Sequence, residues 1–224
     1  MEITFGVHLI PNVIANPYLV VEAGGLTLID AGLPGSAGKI LRYITEQGHA
    51  PSELKRIIIT HADLDHIGGL AALKKASRAR VYASAIEAEA MANGRASRQL
   101  RPRSFLRRLL VGLAGRLVRA PIVRADELVQ DGQVLPVLGG LHVIDTRGHT
   151  PGHISLFSPS TGVLFSGDSV VTRGGKLVRS LPDNTWDERQ ADESARRQAA
   201  LGAKVVCPGH GPAVLDAADK FPMV

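Results

Sequence analysis

At 224 residues, 45% of them hydrophobic, the chain is long enough to bury a sizeable core and fits one domain, 1–224, better than two. No apolar run reaches the ~18 residues expected of a membrane span, and the start from Met1 to Phe5 lacks the basic and apolar regions of a signal peptide. The single cysteine, Cys207, excludes an internal disulfide and suits a reducing cytoplasm, and the net charge of +5 is concentrated in one segment discussed below.

Strands are expected near 3–10, 18–22 and 26–30, with Gly24-Gly25 as a hairpin turn. A helix follows near 36–47 and stops before Gly48. Next come strand 56–60, helix 66–77, strand 80–83 and an Ala- and Glu-rich helix at 84–92. Beyond residue 125 the pattern predicts strands near 127–130, 141–146, 153–158, 162–166 and 204–207, and a helix over about 185–201. This order suits two sheets packed together and covered outside by helices, and no low-complexity linker or short-period repeat argues for a second domain.

The segment 94–124 stands apart. It holds nine arginines and no Asp, Glu or Lys, so removing them from a net +5 leaves −4 for the rest of the chain. Phe105, Leu106, Leu109, Leu110, Leu113 and Leu117 recur at intervals of three and four, which predicts an amphipathic helix over about 103–119. An exposed Arg-rich helix docked by its leucine face is the plainest reading. A lid that attracts anionic substrates ranks second, and a nucleic-acid or membrane-surface patch third. Only one aromatic, Phe105, lies in the segment, so nucleic acid is not an expected partner.

The densest chemistry lies in Thr60-His61-Ala62-Asp63-Leu64-Asp65-His66-Ile67-Gly68-Gly69, directly after the apolar run Arg56-Ile57-Ile58-Ile59. Two imidazoles and two carboxyls crowded beside a buried strand are costly unless something pairs them, and a bound metal would pair all four. Asp65 as the cap of a helix beginning near His66 explains one of the four residues. Three further segments place a His or Asp among glycines just past a strand: Gly148-His149-Thr150-Pro151-Gly152-His153, Ser166-Gly167-Asp168 and Pro208-Gly209-His210-Gly211.

With Asp30 in Leu28-Ile29-Asp30, this ordered set resembles the five motifs of the metallo-β-lactamase fold superfamily and extends from about residue 26 to about 213. The resemblance implies a four-layer αβ/βα sandwich of the mixed α/β (α+β) class, with metals at one edge of the two sheets. It also implies one metal held by His61, Asp63 and His149, a second by Asp65, His66 and His210, and Asp168 bridging. The commonest family pattern is His-x-His-x-Asp-His, and Asp63 departs from it by replacing a neutral nitrogen donor with an anionic oxygen. Two Zn²⁺ ions are the expected cofactors, with Fe or Mn as alternatives because the diiron flavodiiron branch carries a carboxylate at this position. Asp30 is expected to support the site through a ligand, its alternative being a plain turn residue. His153 is expected to hydrogen-bond near the site. His8, His49 and His142 are read as surface or packing histidines, Trp186 as a helix-packing residue, and Cys207 as a buried inert thiol.

These features point to a cytoplasmic, metal-dependent hydrolase in which Asp65 also orients the attacking group and carries a proton. The expected substrate is a small carbonyl ester, lactone or thioester, and the substrate-binding residues are not identified. A β-lactamase, a phosphodiesterase or nuclease, and a diiron oxidoreductase are the alternatives. No tyrosine occurs in 168–172, where the lactonases that the chain resembles carry one, and the chain ends too early for the C-terminal helical domain of glyoxalase-II-like thioesterases. In this superfamily the insertion between the second and third motifs often forms a substrate cover or a subunit contact. A homodimer is therefore the alternative role for 94–124.

Overall fold

The computed structural model describes residues 1–98 and 120–222. The helix expected over 103–119 lies outside the described residues. Two sheets face one another. The first runs in spatial order β1 (Glu2–Thr4), β2 (Val7–Leu9), β3 (Tyr18–Glu22), β4 (Gly25–Ile29), β5 (Leu54–Ile58), β6 (Arg80–Ser84), β7 (Glu127–Val129). Its first four strands pair antiparallel and its last four parallel. The second runs β15 (Val214–Leu215), β14 (Val205–Pro208), β11 (Val163–Gly167), β10 (Ile154–Ser158), β9 (Leu141–Asp145), β8 (Val134–Leu135). A hairpin of β12 (Val170–Arg173) and β13 (Lys176–Arg179) forms a third, two-stranded sheet.

Alternating side chains divide each sheet between two cores, as the two-residue period of a strand requires. Val20, Ile29 and Ile58 from the first sheet meet Val143, Leu156, Phe165 and Cys207 from the second in a core between the sheets. On the far face of the first sheet, Leu19, Leu28 and Ile57 pack under α1 (Ala37–Glu46), α3 (Leu70–Ser77) and α4 (Ala85–Ala92). On the far face of the second, Phe157, Leu164 and Val206 pack with Ala195 of α5 (Glu188–Ala199). The result is the expected helix, sheet, sheet, helix layering. Among the described residues no helix is long and apolar enough to cross a membrane.

Several boundaries differ from expectation for local reasons. The strand expected over 3–10 is broken at Phe5-Gly6, giving β1 and β2. The helix expected over 66–77 is two helices, α2 (Leu64–Ile67) and α3, separated at Gly68-Gly69. A Cβ on Gly68 would lie 2.1 Å from the backbone nitrogen of Pro34, so the chain passes too close there for any side chain. Asp63, rather than Asp65, precedes the first helical residue of α2. Trp186 is not a packing residue as expected. Its side chain is about half exposed, while its backbone N–H donates to the carbonyls of Gly148 and His149.

Candidate metal centre

In the first sheet β4 and β5, and in the second β9, β11 and β14, end at one edge, and the chemistry-bearing residues follow those ends. Asp30 comes after β4, His61 to His66 after β5, Asp168 after β11 and His210 after β14, while His149 and His153 lie on the turn between β9 and β10. All seven residues expected to hold metal therefore converge. Three groups of donor atoms each lie within 4.8 Å of one another: His61, Asp63 and His149; Asp65, His66 and His210; and His61, His66 and Asp168. Asp168 touches both triads, with Oδ2 at 3.6 Å from His149 Nε2 and 3.3 Å from His210 Nε2, and Oδ1 at 3.4 Å from His66 Nε2.

A hydrogen-bond relay sets the ring orientations. The hydroxyl of Thr60 donates to Asp30 Oδ2 at 2.8 Å, so the 3.0 Å contact between Thr60 Oγ1 and His61 Nδ1 has the imidazole donating. His66 Nδ1 donates to the same Asp30 oxygen at 2.8 Å, and the Thr60 backbone N–H donates to the other. Asp30 adopts a left-handed φ of 60°, a conformation a non-glycine residue holds only when its surroundings fix it. With both Nδ1 atoms committed, the Nε2 atoms of His61 and His66 point inward as acceptors. His153 lies behind the site: Nδ1 pairs with Thr146 Oγ1 at 2.8 Å, and Nε2 accepts the backbone N–H of Asp168 at 3.0 Å. Burial pushes the His153 pKa well down, helped by His61 and His149, as an acceptor nitrogen requires.

The inward atoms test whether a cation fits. Among the described residues His61 Nε2, His66 Nε2 and Asp168 Oδ1 are buried and have no hydrogen-bond partner. Buried acceptors left unpaired are strongly disfavoured, and three converging on one point make sense as ligands to a cation. Mixed imidazole and carboxylate donors suit zinc, iron or manganese. Two glycines make room. A Cβ on Gly209 would lie 2.3 Å from Asp168 Oδ1, and one on Gly167, at φ +51°, would lie 2.6 Å from His153 Nε2.

Electrostatics of the cluster follow from carboxyls and imidazoles held together. Without a cation in the cluster, burial alone would lower the His66 pKa, but Asp168 and Asp30 hold it well above the usual range, so Nε2 becomes an acceptor only as a metal displaces its proton. Hydrogen bonds to Asp168 and Asp65 raise His210 to about 9. Burial would raise Asp168, yet His66, His210 and His149 hold it well below the carboxylate range. Burial pushes the Cys207 thiol up, in keeping with an inert core residue. His8 meets Tyr43 and His49 meets Glu53, both away from the site.

Two residues at the site carried no ligand signal in the sequence. Glu87, fully buried on α4, accepts from the backbone N–H of Ala62 at 2.8 Å, that of Gly152 at 3.0 Å, and the hydroxyls of Thr150 at 2.7 Å and Ser97 at 3.0 Å. It thereby ties the loop of His61 and Asp63 to the loop of His149. Arg98 reaches into the first triad: Nη1 donates to Asp63 Oδ1 at 2.5 Å, Nη2 lies 3.3 Å from His149 Nε2, and Nη2 also donates to the Asn184 carbonyl at 3.0 Å. A cavity of about 410 Å³ opens over the cluster, bordered by Asp65, Arg98, Val171, Arg173, Leu181 and His210 among others.

The metallo-beta-lactamase superfamily model matches residues 10–210. A probable metallo-hydrolase of Bacillus subtilis, YflN, is 33% identical over 94% of this chain and 85% of its own length. A hydroxyacylglutathione hydrolase of Rhodobacter capsulatus is 30% identical over 82% of this chain and 57% of its own length. Among solved structures, a Cronobacter sakazakii metallo-beta-lactamase with a HARLDQ motif superposes with a TM-score of 0.73 at 29% identity, covering 93% of this chain and 79% of that one. The chain belongs to the metallo-beta-lactamase superfamily and is a metallo-hydrolase.

Proposed function

We propose that this superfamily member is a dinuclear hydrolase of small carbonyl esters, with thioesters first and lactones second among its substrates. In this reading His61, Asp63 and His149 hold one divalent ion, Asp65, His66 and His210 hold the other, and Asp168 lies between them. The observation that carries it is the set of buried, partnerless acceptors on His61, His66 and Asp168, with the second Asp168 oxygen between His149 and His210. Zinc is the proposed ion, with iron and manganese as the alternatives that Asp63 admits. Similarity to hydroxyacylglutathione hydrolases supports thioesters, although the chain spans little more than half of that relative's length.

Two divalent ions supply Lewis acidity at a carbonyl oxygen and bring the pKa of a water to ~7, so that hydrolysis proceeds at neutral pH. The chain supplies orientation and proton traffic. Asp30 and Thr60 lock the His61 and His66 rings, and His153 fixes the Asp168 backbone, so the donors are set before substrate arrives. Asp65 borders the cavity with its side chain about a third exposed. Burial would raise its pKa, but His210, His66 and His61 hold it below the usual range, leaving a carboxylate placed to orient the attacking oxygen and pass its proton to the leaving group. Val171 and Leu181 offer an apolar wall for an acyl chain, and Arg173 adds positive charge at the same cavity.

The test pairs elemental analysis of protein purified without added metal with a panel of thioester, lactone, β-lactam and phosphodiester substrates. Two equivalents of metal with thioester or lactone turnover are expected. A single equivalent in metal-replete protein refutes the dinuclear reading, and turnover confined to phosphodiesters refutes the substrate class.

A further inference from the structure

Arg98 is the feature the proposed chemistry does not use. It is 8% exposed, and its guanidinium engages Asp63 Oδ1 and sits against His149 Nε2, two of the three donors proposed for the first ion. Among the described residues no Lys or Arg forms an ion pair with Asp65 or Asp168, the carboxyls nearest the second triad. The two halves of the site are therefore unequal: one already holds a permanently charged guanidinium, while the other has only imidazoles, which give up their protons to a metal.

We propose that Arg98 is a tethered cation that competes with metal for the first triad. The ion at Asp65, His66 and His210 then binds tightly, while the ion at His61, Asp63 and His149 enters only as the guanidinium withdraws. The proposal rests on the two-metal reading above. Asp63 is what recruits the arginine: an anionic oxygen pairs with a guanidinium in a way that a neutral imidazole at the same position would not. The pairing is also incomplete. Among the described residues Arg98 Nε is buried without a partner, and beyond the triad its head is held only by the Asn184 carbonyl. A buried charge so poorly satisfied is held weakly against a doubly charged competitor that takes three donors at once. The open cavity beside Arg98 and Asn184 gives the side chain somewhere to go. The level of available metal would then set how much of the enzyme is dinuclear.

The experiment titrates the full chain, stripped by a chelator, with Co²⁺ followed by absorption and with Zn²⁺ followed by calorimetry. The parent, Arg98→Gln, Arg98→Met and Arg98→Lys are compared. The parent should bind in two unequal steps. Arg98→Gln should tighten the weaker step by about tenfold or more, the scale of one hydrogen bond between charged groups, and leave the tighter step within about threefold. Arg98→Met keeps the packed stem and should do the same if the Gln variant is poorly folded, as melting of the metal-free variants will report. Arg98→Lys keeps the charge and should stay close to the parent. Two steps with the same affinities in parent, Gln and Met chains overturn the competition while leaving two metals intact. One equivalent in every chain overturns the two-metal reading and this proposal with it.

Discussion

Replacing Glu87 by Ala separates the support of the site from its ligands. The substitution removes both acceptor oxygens from a pocket that no solvent reaches and strands the backbone N–H groups of Ala62 and Gly152. Each orphaned buried donor costs about 1–3 kcal/mol, and the Thr150 and Ser97 hydroxyls can rotate to recover part of theirs, so a loss of about 3 kcal/mol is expected. For a chain of this size that corresponds to a melting temperature lower by roughly 6–12 °C. Glu87→Gln keeps one acceptor but turns an NH₂ towards a donor, so about half the loss is expected. Urea unfolding of chelator-treated protein measures both. Because Ala62 lies between His61 and Asp63, and Gly152 lies between His149 and His153, the same variants should weaken the first-site ion more than the second in a chelator competition. Stability within about 0.5 kcal/mol of the parent would refute the view that this carboxyl group carries the two loops.

Asp168→Ala should lower the content of both metals in elemental analysis, since its Oδ2 lies between His149 of one triad and His210 of the other; loss of only one would count against a bridge. Asp63→His should shift preference towards zinc in competition among Zn²⁺, Fe²⁺ and Mn²⁺, because imidazole suits the borderline-soft ion, and an unchanged preference would assign selectivity to the other six ligands. The pH response of metal-stripped protein follows from His210, raised to about 9 by Asp168 and Asp65. A raised folded pKa contributes stability that is fully present below the unfolded value of about 6.5 and lost as pH rises through about 9, so melting temperatures should fall across that window. Metal uptake requires neutral imidazole and should tighten across the same window, which calorimetry at pH 6.5 and 9 would check.

The cluster could be read from sequence because its candidate ligands announce themselves locally: a His or Asp just past an apolar strand, in a fixed order, with a glycine adjacent at His149, Asp168 and His210. Asp30, His61, Asp168 and His210 all sit where β4, β5, β11 and β14 end at the same edge. Short elements were not legible in this way. β8 and β15 have two residues each, too few to show an alternation, and β12 with β13 forms a hairpin outside both main sheets. The break within 64–77 was hidden because it depends on Pro34, thirty-four positions before Gly68.

Glu87 and Arg98 were illegible for a deeper reason. Glu87 stands in the run Ala85-Ile86-Glu87-Ala88-Glu89-Ala90, where two glutamates look alike, and only the turn of α4 buries the first while leaving Glu89 outside. Arg98 is one of nine arginines in a segment whose charge pattern marks none of them out. What distinguishes both is the partner: a carboxyl group facing the donors of two loops, and a guanidinium facing the one ligand position that departs from the family's common pattern. The departure at Asp63 and the burial of Arg98 are two halves of one arrangement. An extra negative charge in the first triad needs an answering positive one, and the chain supplies it from its own most basic stretch.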